Sequence, residues 1–125
     1  MTARPAGAPV EALTVARRAA AAKRRAALAA VAETGDWEAL LADAAADPAV
    51  ARLTVLRALR ATPGVASPEN TMREAGIRPD TQRPCRLSRL LSPTGGARRR
   101  ALLDQLGVPA APEVSPWFPY WPPAA

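Results

Sequence analysis

Apolar residues recur along this chain at three- and four-residue spacing, and Gly, Pro and capping residues interrupt them at short intervals. That is the pattern of short helices joined by tight turns. From Val10 to Glu33 there is neither Pro nor Gly, and Ala and Arg dominate. Both are strong helix formers, so one long helix is predicted, about 36 Å in length and ending at Thr34-Gly35. Its basic residues spread around the cylinder, whereas Leu28 and Val31 share one apolar stripe. The last turns are therefore expected to dock on a domain while the first turns project as a basic arm.

Asp36 caps a second predicted helix, from Trp37 to about Ala46, in which Trp37, Leu40 and Leu41 form one buried face. Asp47-Pro48 opens a third, carried by Val50, Leu53, Val55, Leu56 and Leu59 to about Ala61. Pro63-Gly64 breaks it. Ser67-Pro68 opens a short fourth helix containing Met72, with Gly76-Ile77 at its end. Arg78 to Pro84 reads as irregular, and Leu87, Leu90 and Leu91 as a turn or two of helix. Beyond a hinge at Gly95-Gly96, the last helix runs from Ala97 to Leu106. The predicted class is all-α: a long N-terminal helix followed by a small bundle over residues 10–107. Residues 1–9 read as a disordered lead, and residues 108–125 as an extended Pro/Trp-rich tail holding Trp117 and Trp121.

Composition narrows the chemistry. The 125 residues include 17 Lys and Arg against 11 Asp and Glu, a net charge of +6. Such a balance attracts polyanions and says nothing about fold. Its distribution is uneven. Residues 1–32 hold six basic groups and one acidic, residues 33–47 hold five acidic and none basic, and residues 48–107 hold eleven basic and four acidic. There is no histidine, so the commonest general base and metal ligand are both missing. Cys85 is the single cysteine, which excludes multi-cysteine zinc sites and an internal disulfide. An inert small side chain is the expected reading of Cys85, and a thiol pKa lowered by neighbouring Arg86 is the alternative. No acid–base pair, nucleophile–base pair or phosphate-cradling Gly-rich loop is visible, so the expectation is a binder, not an enzyme, without metal or cofactor. Without a long apolar run, a cytoplasmic protein with no membrane span is expected.

The order of elements has a counterpart. A long Arg/Ala-rich helix, an acidic helix, a third helix running into Pro63-Gly64-Val65, a short helix with Met72, then Gly76-Ile77 and a final helix with Arg100-Ala101-Leu102-Leu103 resemble the actinobacterial integration host factor family. That family carries a helix–two-turns–helix module similar to one in a ribosomal small-subunit head protein. The resemblance spans roughly Val10 to Leu106. It implies an architectural nucleoid protein that binds duplex DNA with little sequence preference. It implies that backbone amides of the turn Gly64, Val65 and Ala66 grip phosphates together with Arg83 and Arg86. This chain departs from the family after the turn, reading Ala66-Ser67-Pro68-Glu69-Asn70 where a second glycine and basic residues are usual. It is also several residues longer between Ile77 and the last helix.

Independently of that resemblance, guanidinium groups match phosphate oxygens, and a hydroxyl at Ser67 before a helix adds a donor. The candidate DNA-binding residues are therefore Arg17, Arg18, Arg24, Arg25, Gly64, Val65, Ala66, Ser67, Arg83, Arg86, Arg98 and Arg99. Asn70, Gln82 and Gln105 are the only Asn and Gln side chains, which favours backbone contact over base readout. The expected partner is duplex DNA, bound by a monomer in the bacterial nucleoid. Two other readings stay open: an adaptor that recruits a protein partner through its Pro/Trp-rich tail, and an RNA- or ribosome-associated protein.

Overall fold

The computed structural model describes residues 8–108, with side chains from Val10 onward. The tail, and all of the lead except Ala8 and Pro9, lie outside the described residues. The fold is all-α, with no named strand among the described residues. Helix α1 spans Ala8–Thr34 and so starts two residues earlier than the pattern predicts. Pro9 sits in its first turn, where its missing N–H and fixed φ cost nothing. The helix ends as expected: Gly35 has φ 67°, and its amide donates to the Val31 carbonyl at 2.8 Å. Every residue from Val10 to Ala19 is exposed, whereas Ala27 and Val31 are buried. The basic arm and the docked C-terminal turns are thus parts of one continuous helix.

Helix α2 (Trp37–Ala46) is capped by Asp36, whose carboxylate accepts from the Ala39 amide at 3.0 Å. Trp37, Leu40, Leu41 and Ala44 are buried. Trp37 is the core's large anchor: its indole N–H donates to Thr62 Oγ1 at 2.9 Å, and that hydroxyl donates to the Ala58 carbonyl at 2.7 Å. A buried indole needs such an acceptor, because an unpaired N–H costs about 1–3 kcal/mol.

The single helix expected from Pro48 to Ala61 is in fact two, α3 (Pro48–Ala51) and α4 (Val55–Ala61). Two features break it. Thr54 takes an extended conformation and caps α4, accepting from the Arg57 amide at 3.1 Å. The freed backbone then pairs with a distant loop: Val55 N–H donates to Cys85 O, and Leu87 N–H to Leu53 O, each at 2.8 Å. The break also turns Val50, Leu53, Val55 and Leu59 all inward, which one straight helix would not do.

Helix α5 (Pro68–Glu74) is capped by Ser67 and closes at Gly76, φ 77°, with the Ile77 amide returning to Met72 O at 2.8 Å. Helix α6 (Leu87–Leu91) leads through a 3-10 turn at Pro93–Gly95 into α7 (Gly96–Gln105). Of the two residues expected to form a hinge, Gly95 is buried and packed instead. A Cβ on Gly95 would collide with the Arg89 carbonyl oxygen and sit 3.1 Å from Leu90 Cα. Within the bundle α4 packs against α1 and α5, α5 packs on α7, and α6 joins α2 to α7. Leu59, Met72, Leu87, Leu90 and Leu102 are fully buried among them.

Candidate nucleic-acid interface

The segment from Arg78 to Arg86 has no regular structure but is fixed at both ends. Ile77 is buried at one end and Leu87 at the other. In between, Asp80 Oδ1 accepts from the Gln82 and Arg83 amides at 2.8 and 3.4 Å, an Asx turn. The Thr54–Arg86 bridge then holds the loop against the start of α4. Arg83 and Arg86 are exposed, as are Arg52 and Arg57 on either side of Thr54 in the chain.

Cys85 marks where further arginines arrive. Arg98 of α7 and Arg89 of α6 both lie close enough to its thiol to favour the thiolate. Burial outweighs them and pushes the thiol pKa up, contrary to the lowered value that Arg86 alone suggests. Arg89 and Arg98, from two different helices, therefore approach one half-buried sulfur, which Arg86 follows in the chain. Among the described residues the ion pairs are Lys23–Asp47 at 3.1 Å and Arg60–Glu69 at 3.4 Å, and neither draws on this cluster. Arg99 plays another part. Its guanidinium donates to Leu90 O at 3.0 Å and ties α7 to α6, and burial lowers its pKa.

The glycine turn is a separate place. Gly64 has φ 83° with open space beside it, Gly64 and Ala66 are exposed, and Val65 packs partly on the core. Ser67 Oγ accepts from the Asn70 amide at 3.4 Å. The turn lines a cleft of about 310 Å³ shared with Asn70, Thr71, Glu74 and Gln105. Glu74 brings negative charge into the cleft, and neighbouring Glu69 occupies Arg60. The turn follows the C-terminus of α4, whereas Arg86 faces its N-terminus. Seven residues of helix separate the two by about 10 Å. The grip that the resemblance assigns to turn and arginines together is therefore divided between two ends of α4, and at the turn end Arg60 is paired with Glu69.

On the arm, Arg17, Arg18 and Arg25 are exposed and Arg24 is half-buried, while Lys23 reaches back to Asp47. Of the sequence-predicted arginines, Arg83 and Arg86 belong to the loop that holds Cys85, Arg98 approaches its thiol from α7, and the arm residues form a separate group. Arg89 joins the Cys85 region without having been expected there, and Arg52 and Arg57 flank Thr54, whose bridge partner is Arg86. Arg89 was legible, since Leu87 and Leu90 set the buried face of α6 and leave Arg89 outside it. Arg52 and Arg57 were not, because only the bridge to residue 86 brings them near. Among the described residues no group of acidic, Cys or His side chains is arranged to hold a metal ion. No helix among them is long and apolar enough to cross a membrane. No family model, curated protein or solved structure matches this chain.

Proposed function

We propose that this chain binds duplex DNA through phosphate contacts, as an architectural protein of the bacterial nucleoid with little sequence preference. The observation that carries the reading is the approach of Arg89 and Arg98 to Cys85, whose loop also holds exposed Arg83 and Arg86, with no carboxylate among the described residues paired to any of the four. Gathering like charges is unfavourable in isolation, and a bound polyanion offsets it. Arginine suits the task because its planar fork matches phosphate oxygens and is less strongly hydrated than an ammonium. The integration host factor resemblance points the same way for Arg83 and Arg86. For the glycine turn the two disagree, since Glu69 and Glu74 oppose an anion there, so the reading rests on the arginine cluster.

The test is titration of a labelled duplex with the full chain across a salt series. Arg86→Ala with Arg89→Ala is expected to weaken binding and to flatten the log–log salt dependence by about one unit per lost phosphate contact. An equal mass of structured RNA at matched salt is expected to bind more weakly. Preference for the RNA would move the function to RNA association, and a slope untouched by the double substitution would remove the cluster from the interface.

A further inference from the structure

The cleft at the glycine turn is unsuited to a phosphate and has a chemistry of its own. Among the described residues no Lys or Arg lines it, and Glu74 is the charged group that does. The Glu74 carboxylate is exposed and makes no ion pair or hydrogen bond among the described residues, whereas Glu69 is taken by Arg60. Two helices also end here: α4 at its cap Thr62 and α7 at its cap Leu106, and both caps line the cleft. At the end of α7 the amides of Leu106, Gly107 and Val108 return to the carbonyls of Leu102, Asp104 and Leu103. The carbonyls of Gln105 and Leu106, both lining residues, accept no hydrogen bond among the described residues. An unpaired carboxylate, open carbonyls and the C-terminus of a ten-residue helix all favour positive charge.

The rest of the lining narrows the kind of cation. A divalent metal takes several carboxylate and carbonyl oxygens at once, and one carboxylate falls short of that set. One wall is apolar: Pro63, Val65 and Leu106 line the cleft, and the last two pack partly on the core. Such a wall beside a carboxylate suits a charged head on a hydrocarbon stem. The further acceptors are separate side-chain oxygens of Asn70, Thr71 and Gln105, not a second carboxylate. An ammonium spreads three donors to separate acceptors, while a planar guanidinium is best met by the paired oxygens of a carboxylate in line with its fork. The chain's single lysine is committed elsewhere, since Lys23 pairs with Asp47.

We propose that this cleft binds a primary ammonium carried on an alkyl stem. The ammonium sits at Glu74 among the oxygens of Gln105 and Thr71, and the stem lies along Pro63, Val65 and Leu106. A free aliphatic amine and a lysine side chain of another protein share this chemistry. The site does not rest on DNA binding, because the arginines around Cys85 take no part in it.

Amide NMR of the full chain without nucleic acid tests it, by titration with n-butylammonium chloride at constant ionic strength. Saturable shifts are expected at Gly64, Thr71, Glu74 and Gln105, and n-butanol, which keeps the stem and lacks the charge, should not produce them. Glu74→Gln, at an exposed position, should weaken binding about fivefold while the rest of the spectrum stays in place. A blocked peptide with one lysine separates the two sources: tighter binding than butylammonium assigns the cleft to a protein lysine, and weaker binding assigns it to a free amine. The absence of saturable shifts with butylammonium, an equal response to butanol, or an affinity untouched by Glu74→Gln overturns the proposal. So does inorganic phosphate shifting these amides where butylammonium does not, since that is the behaviour of an anion site.

Discussion

At Cys85 burial and charge act in opposite directions, and burial prevails. The thiol pKa is raised although Arg98 and Arg89 favour the thiolate. Alkylation of Cys85 near neutral pH should therefore be slower than that of an unperturbed cysteine. Because the sulfur lies among the proposed phosphate contacts, a bound duplex should slow it further. Equal labelling rates with and without DNA would place the interface elsewhere. Asp47 shows the opposite shift, held low first by the Ala49 amide and then by Lys23. A carboxylate with a depressed folded pKa contributes stability above its unfolded pKa and loses it as pH falls through the folded one. Asp47→Ala should thus lower the melting temperature at neutral pH, and the difference should vanish in acid. In the core, Thr62→Val keeps the shape but leaves the Trp37 N–H without its acceptor. Denaturant unfolding should show a loss of about 1–3 kcal/mol.

At the scale of elements, the joints decide the architecture. Gly95 packs against the backbone of α6, so Gly95→Ala should destabilise by about 1–3 kcal/mol, as overpacking does, while leaving solvent-facing arginines in place. Capping residues made most elements readable in advance: Asp36, Asp47 and Ser67 each cap the helix that follows, and Gly35 and Gly76 each end one. The break at Thr54 was not readable as such. Its partners are the backbones of Cys85 and Leu87, more than thirty residues away, and local spacing carries no record of them. The same bridge explains the half-legible interface. Arg83, Arg86 and Arg98 stand out as a basic stretch and a basic first turn, but Arg52 and Arg57 join them only through tertiary pairing. Arg99, equally basic in sequence, is drawn inward to Leu90 O.

Across the whole molecule, charge is sorted. Acidic groups concentrate in residues 33–47, between a basic arm and a basic body. A duplex held at the Cys85 cluster would be repelled by the acidic face of α2, which orients the protein on it. The arm supplies a separable contribution through Arg18 and Arg25, both exposed and seven residues apart on one side of α1. Neutralising that pair should lower the salt slope in addition to the effect of Arg86 and Arg89. The measurement that bears most directly on the account is the affinity of the unmodified chain for a random-sequence duplex as a function of salt concentration. Tight binding at low salt that weakens linearly on log–log axes, with a slope reporting several phosphate contacts, is the predicted result. No binding at low salt, or binding indifferent to salt, would contradict it.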